Sequence, residues 1–322
     1  MTTHQPNERK LGLLLPQWER GMDRETPGWS DIREMAMQAE QMGIDSLWAV
    51  DHFLIDRAAN YRQRGEPVPE KLQGRPPLGA WECWSLLSAV AAVTDRVEIG
   101  PLVACTGYRN PALQAKIAET IDEISGGRLI LGLGAGDFQS EHRAFGFEWE
   151  KRITRFEEAL QIIRGLLRDE SISFDGDWYS VEECTIRPRG PRPGGIPIMI
   201  GSSAARPRMA RLTASYADIW NCWLAFGAST PEETKPRLDA VDAACEKHGR
   251  DPSTLGRSLT IGVGVLGKEI PGASPVRGEP EQIADTINQF YEQGFSHIQV
   301  YLAPMTREGF EEFSKVVEIL KR

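Results

Sequence analysis

Eight times along the chain, a short aliphatic or β-branched run is followed by an amphipathic helix. This alternation is the strongest constraint on the fold. A helix between two strands returns the chain to the same end of a sheet, so the strands become parallel. The runs are 10–16, 45–50, 97–103, 128–133, 196–200, 217–221, 259–266 and 297–301. The helices are 29–42, 80–93, 111–124, 152–167, 207–215, 231–247, 279–293 and 306–320. Ile32, Met35, Ala36, Ala39 and Met42 recur at helical spacing, as do Phe156, Leu160, Ile163 and Leu167, and Phe310, Phe313, Val317 and Leu320. Pro111 opens the third helix, where Ile117, Ile121 and Ile124 share a face. Segments 171–174 and 178–181 depart from the pattern. They read as a hairpin in which Asp175-Gly176-Asp177 supplies the turn positions with φ > 0.

Eight units predict an α/β fold, a (β/α)8 TIM barrel with insertions in the C-terminal-face loops. The alternative is an open sheet with a helical second domain, but the best linker candidate, 188–197, runs straight into a strand. The 322 residues suit one barrel domain over 1–322 with a hairpin insertion near 171–181. Helix-to-strand connections are short: 43–44, 94–96, 125–127 and 294–296. Strand-to-helix connections are long: 17–28, 51–79, 135–151, 222–230 and 267–278. Long loops concentrate function, and these lie where barrel active sites are built.

Charge and composition exclude other classes. With 37 Lys plus Arg against 46 Asp plus Glu, the net charge is −9, which disfavours nucleic acid as a partner. No apolar run approaches the roughly 18–20 residues of a membrane span. Residues 1–10 have no apolar signal core, and the five cysteines are scattered without metal or redox spacing. A reducing cytoplasm is the expected setting.

The strand ends hold the candidate chemistry. Asp51-His52 follows the second run, and an imidazole there can exchange a proton near neutral pH, or simply hydrogen-bond within its loop. The glycine-rich end Gly132-Leu133-Gly134-Ala135-Gly136 permits either a tight turn or close backbone approach to a planar ligand. Asp137 follows as an acid, acceptor or cap. Gly201-Ser202-Ser203 precedes a helix and, with Arg206 and Arg208, forms either an anion site or an ordinary serine cap. Trp18, Phe53, Tyr61, Trp81, Phe138, Trp220, Trp223 and Phe226 fall in or beside the mouth loops and could wall an apolar ligand. The five histidines, His4, His52, His142, His248 and His297, form no metal spacing. Arg57, Arg62, Arg64, Lys71 and Arg75 make one loop basic, whether as a solvated surface, a grip on an acidic substrate or a clamp on a cofactor tail.

In order along the chain, several segments resemble one family. They are Gly12 to Gln17, Asp45 to Phe53, Tyr108-Arg109-Asn110-Pro111, Ser125 to Leu129, Gly132 to Gly136, His142 to Gly146 and Tyr216 to Asn221. The chain resembles the bacterial luciferase-like superfamily, within it the oxidoreductases that use the deazaflavin coenzyme F420, over roughly 11–320. The resemblance implies a barrel with the cofactor ring at its mouth, a small-molecule substrate and a homodimer. It implies Asp51 and His52 beside the ring. Leu102 and Val103 would form a bulge or non-prolyl cis peptide behind it, with Ala104 and Cys105 following. Gly134, Ala135 and Gly136 would pass near the cofactor side chain, and Gly201, Ser202, Ser203 and Arg208 would hold its phosphate. His52 or Asp137 would move the proton, and Gln17 would act on the substrate. The phosphate segment is about two residues longer than the usual Gly-Gly-Ser-Gly-Pro-Arg form. Asp137 and Gln17 stand where the sugar-phosphate dehydrogenases carry glutamates, which argues against glucose 6-phosphate as substrate. FMN is the alternative cofactor, in a monooxygenase; a non-catalytic flavin- or ligand-binding barrel is the third reading.

Overall fold

The computed structural model describes residues 9–22, 25–202, 206–270 and 273–322. Eight parallel strands ring the barrel: β1 (Lys10–Leu14), β2 (Ser46–Ala49), β3 (Glu98–Pro101), β4 (Leu131–Gly134), β5 (Ile198–Gly201), β6 (Ile219–Trp223), β7 (Gly256–Gly264) and β8 (His297–Ala303). Their order is β3-β2-β1-β8-β7-β6-β5-β4. The β3–β4 seam is joined by a parallel bridge between Ile99 and Leu129, where the Ile130 N–H donates to the Ile99 carbonyl at 2.8 Å. A short ninth parallel strand, Ala104–Cys105, pairs with the C-terminal end of β4. The barrel reading therefore holds and the open-sheet alternative does not.

The outer helices are α1 (Trp29–Met42), α2 (Cys83–Ala91), α3 (Pro111–Ile124), α4 (Arg152–Arg168), α5 (Pro207–Tyr216), α6 (Pro231–Lys247), α7 (Pro280–Glu292) and α8 (Arg307–Leu320). Helices α1, α3 and α6 keep the bounds expected from periodicity. Local chemistry sets the ends of α3: the Asn110 side chain accepts the Ala112 and Leu113 N–H groups, and Pro111 occupies the first turn. Helix α2 starts later than the expected residue 80. Ala80 instead bridges antiparallel to Trp18, and the Glu82 carboxylate caps the Ser85 N–H at 2.7 Å. In α3 the buried face is Ala115, Ala118 and Ile121, while Ile124 is exposed, so the expected isoleucine stripe is only partly buried.

The hairpin forms between Ile172–Asp175 and Ser180–Cys184, but its turn is not the one expected. Gly176 is not among the left-handed residues. Instead the Glu158 carboxylate of α4 gathers the N–H groups of Asp177, Trp178 and Tyr179, and a Cβ at residue 176 would lie 2.5 Å from the Phe174 ring.

Two shells make the core. Aliphatic residues fill the space between barrel and helices. Inside the barrel, Leu14, Trp48, Val50, Leu102, Ile130, Met199 and Ile219 pack together, with Trp18, Val103, Trp223 and Tyr301 above them, partly buried. Alternate residues of a strand face opposite sides, so Trp223 and Tyr301 point inward like Asn221 and Gln299, which are hydrogen-bonded to each other at 3.1 Å. The mouth loops are knitted together. The Glu19 carboxylate accepts the Gly79 N–H at 2.7 Å, and Trp81 Nε1 donates to the Pro27 carbonyl at 2.8 Å. Short helices Arg57–Gln63 and Gln139–Phe145 interrupt stretches that read as loops. No described helix is long and apolar enough to cross a membrane.

Candidate active site

His52 leaves the end of β2 and stands at the mouth between two rings. Its centroid is 5.9 Å from Trp18 and 5.3 Å, edge-on, from Phe138. His52 Nδ1 lies 2.8 Å from Glu141 Oε2. Glu141 is fully buried on the short helix Gln139–Phe145. Its Oε1 also accepts the N–H groups of Phe53 and Leu54, and its Oε2 accepts the Tyr108 hydroxyl at 2.6 Å. The carboxylate thus orients the imidazole and leaves Nε2 without a protein partner among the described residues.

The electrostatics follow from this geometry. Burial alone would lower the His52 pKa, but Glu141, Asp137 and Asp51 outweigh it and raise the value above that of an ordinary imidazole. Burial likewise opposes ionisation of Glu141, but the bonds from His52, Tyr108 and the Leu54 N–H hold its pKa below the usual carboxylate value. Asp137, open to solvent at the end of β4, is pushed upward by the surrounding protein and by Glu141, against the pull of His52. The site therefore gathers an imidazole whose charged form is favoured, the buried Glu141 carboxylate that favours it, and the Asp137 carboxyl nearby.

Asp51 and Gln17 take other roles than those expected. Asp51 accepts two bonds from Arg109, at 2.7 and 3.0 Å, and the Cys105 N–H at 3.0 Å, with its side chain fully buried. It pins the segment behind the mouth and stands away from solvent. Gln17 spends both amide hydrogens on the Val50 and Trp81 carbonyls, and its oxygen accepts the Val50 N–H at 2.7 Å. It splices the ends of β1 and β2 and offers no free donor to a substrate.

The Leu102–Val103 peptide is cis, as the resemblance implied. Leu102, Ala104 and Cys105 are buried, and Val103 alone of the four is partly open. The Val103 side chain lies over the glycines that end β4 and β5: a Cβ at Gly134 would sit 2.6 Å from it, and one at Gly201 3.0 Å. Gly136 adopts φ +81°, and a Cβ there would run into His142 and the Cys105 sulfur. His142 is buried, its Nδ1 on the Phe138 carbonyl at 3.0 Å and its Nε2 3.8 Å from Cys105 Sγ. It braces the turn that presents Asp137.

At the phosphate segment, Gly201 and Ser202 are partly open, and Ser203 lies outside the described residues. Trp220 is fully buried, donating Nε1 to the Ser202 carbonyl at 3.0 Å, and so is not part of the mouth wall. Arg208 is drawn onto the helical flank, where it pairs with Glu157 at 2.9 Å and donates to Thr154. Arg152 and Arg206 are close enough to repel, and neither has an ion-pair partner among the described residues. Arg152 lies 4.2 Å over the Trp149 ring, with Nε on the Gly136 carbonyl at 3.2 Å. No group of three or more potential metal ligands occurs among the described residues. Of the aromatics read as a possible wall, Phe53 joins Tyr108, Phe145 and Phe147 in a separate cluster.

Sequence reasoning missed Glu141, Tyr108 and Arg152. Glu141 immediately precedes a segment singled out for its resemblance, and Gly146, left-handed at φ 75°, ends a helix there that could have been read from the glycine.

A family model described as luciferase-like monooxygenase matches residues 10–269. The barrel with this mouth is the architecture of that class, and the chain belongs to the luciferase-like monooxygenase family. It is 34% identical over 238 residues to the F420-dependent glucose-6-phosphate dehydrogenase of Amycolatopsis mediterranei, covering 73% of this chain and 65% of that protein. It is 32% identical over 212 residues to the 5,10-methylenetetrahydromethanopterin reductase of Archaeoglobus fulgidus, covering 66% and 53%. The matches thus span between half and two thirds of these relatives' lengths. Among solved structures, an F420-dependent secondary alcohol dehydrogenase superposes with TM-score 0.73 at 19% identity, covering 98% of this chain and all of that one. A long-chain alkane monooxygenase superposes with TM-score 0.76 at 15% identity, covering 100% and 92%.

Proposed function

We propose that the protein is an oxidoreductase that moves a hydride between coenzyme F420 and a small organic substrate at the barrel mouth. The observation that carries this reading is the His52–Glu141 pair. A histidine held at Nδ1 by a fully buried carboxylate, with no partner at Nε2 among the described residues, is built to exchange a proton with a bound molecule. F420 is favoured over FMN because the curated relatives above include an enzyme named for F420 dependence.

The residues present suit a flat ring with an anionic tail. Val103 packed over the ends of β4 and β5 offers an apolar backing, and added side chains at Gly134 or Gly201 would collide with it. Arg152 and Arg206, beside the Gly136 turn and the start of α5 and without an ion-pair partner among the described residues, suit a phosphate better than Arg208, which is already drawn onto Glu157. When bound, F420 supplies hydride donation or acceptance at its ring.

The chain's own residues do the rest. Trp18 and Phe138 hold the imidazole plane, Glu141 fixes its Nδ1, and Nε2 gives or takes the proton that accompanies hydride transfer at the substrate. Asp137, at the end of β4 and close enough to His52 to act on it electrostatically, is the second candidate acid. Asp51, Arg109 and Gln17 keep the wall in place. Titrating the purified protein with F420 and with FMN side by side tests the reading; binding of FMN alone would refute it.

A further inference from the structure

Across the mouth from His52, Trp223 ends β6 and Tyr301 lies near the end of β8. Phe226 follows β6, with its centroid 5.7 Å from Trp223 and 5.2 Å, edge-on, from Tyr301. Arg57 comes from the loop after β2, five residues past His52, and reaches this wall. Its guanidinium carbon lies 4.8 Å from the Phe226 centroid. The loop thus carries a cation from the proton-exchanging side to the aromatic side.

A contact of this kind with an aromatic ring uses none of the guanidinium's hydrogen-bond donors. A stacked arginine keeps five N–H donors in a planar fork. Among the described residues, none of these donors meets a protein acceptor and no carboxylate pairs with Arg57. The neighbouring arginines differ: Arg62 pairs with Asp56 and Arg64 with Glu66. The Tyr301 hydroxyl likewise has no hydrogen-bond partner among the described residues. Burial raises the Tyr301 pKa, so the hydroxyl stays a neutral donor. Phe226 thus links the unpaired Arg57 fork to the Tyr301 and Trp223 rings, and Arg57 is close enough to Tyr301 to act on it electrostatically; a cation and a phenol donor on one aromatic wall match a group with clustered acceptor oxygens joined to an apolar body.

We infer that Arg57 and the Tyr301 hydroxyl form an anion-binding subsite on the aromatic side of the mouth, and that the substrate is an organic acid with an apolar body. This rests on the hydride-transfer reading only in calling the bound acid the substrate; the subsite itself does not depend on the cofactor. A carboxylate could also come from the acidic tail of F420, and the test separates the two sources.

Benzoate and its neutral analogue benzamide serve as probes, with binding followed calorimetrically on the cofactor-free protein. Benzoate should bind about tenfold or more tightly than benzamide, as expected for a charge-assisted pair. Arg57→Met should erase that preference and leave F420 affinity unchanged, and Tyr301→Phe should reduce it. Arg62→Met, at an exposed arginine of the same short helix, should retain it. Arg57→Lys, which keeps the charge but not the fork, should hold an intermediate preference and guards against a variant that fails to fold. Equal binding of benzoate and benzamide, or full preference in Arg57→Met, overturns the inference. So does a loss of F420 affinity in Arg57→Met with the benzoate preference intact, which assigns the arginine to the cofactor tail. A protein that binds benzoate through Arg57 but never binds F420 would sink the cofactor reading and leave the subsite standing.

Discussion

His52 Nδ1 and Glu141 Oε2 stand 2.8 Å apart across 89 residues of sequence, one at the end of β2 and the other on a short helix after β4. The pair ties the proton-exchanging ring to a carboxylate that solvent does not reach. In Glu141→Gln the ring keeps a hydrogen-bonding neighbour but loses the charge. Less then opposes the effect of burial, although Asp137 and Asp51 remain, and the His52 pKa should fall. NMR titration of the His52 ring should show the drop. Any activity limb governed by His52 should move to lower pH in the variant.

The same pair contributes to stability in a defined pH window. Glu141 titrates below its ordinary 4.5, so its contribution is present above that value and lost as pH falls through the folded pKa. His52 titrates above its ordinary 6.5, so its contribution is complete below that value and lost as pH rises through the folded pKa. The margin in melting temperature between wild type and Glu141→Gln should therefore be widest between about pH 4.5 and 6.5 and narrow on either side. Thermal melts across pH 4 to 9, roughly, would check this.

Gly136→Ala should destabilise the fold and disturb Asp137. Its φ of +81° is strained for alanine, and the new methyl would sit 2.7 Å from His142 Cε1 and 2.8 Å from Cys105 Sγ. A loss of about 1–3 kcal/mol is expected from the backbone alone. Denaturant unfolding would measure it; Gly146→Ala, left-handed but with open space around it, should lose less.

The two arginine sets should separate in cofactor binding. Arg152→Ala removes a cation that has no ion-pair partner among the described residues, beside the Gly136 carbonyl, and should weaken F420 about tenfold or more. Arg208→Ala removes one already paired with Glu157 and should change affinity little. Fluorescence titration of both variants would decide between them.

The frame of this protein was legible in its sequence because hydrophobic periodicity reports which face of each helix meets the barrel. Helices α1, α3 and α6 were readable to both ends, where Gly43, Asn110 and prolines at the first turn mark the termini. His52 and Asp137 were readable as strand-end residues. Tertiary partnership was not. Nothing local says that Gln17 is consumed by the Val50 and Trp81 backbone, or that Arg208 finds Glu157. Glu141 looked like one more charge in a polar loop, because its three donor segments, at His52, at Phe53-Leu54 and at Tyr108, arrive from elsewhere in the chain.

The most direct measurement is a side-by-side titration of the purified cofactor-free protein with F420 and FMN, followed by cofactor fluorescence. Saturable binding of F420, with FMN bound far more weakly, is the expected result, together with a His52→Ala variant that binds F420 normally but has lost turnover. Saturable binding of FMN with none of F420, or full turnover in His52→Ala, would contradict the assignment of this mouth to F420-dependent hydride transfer.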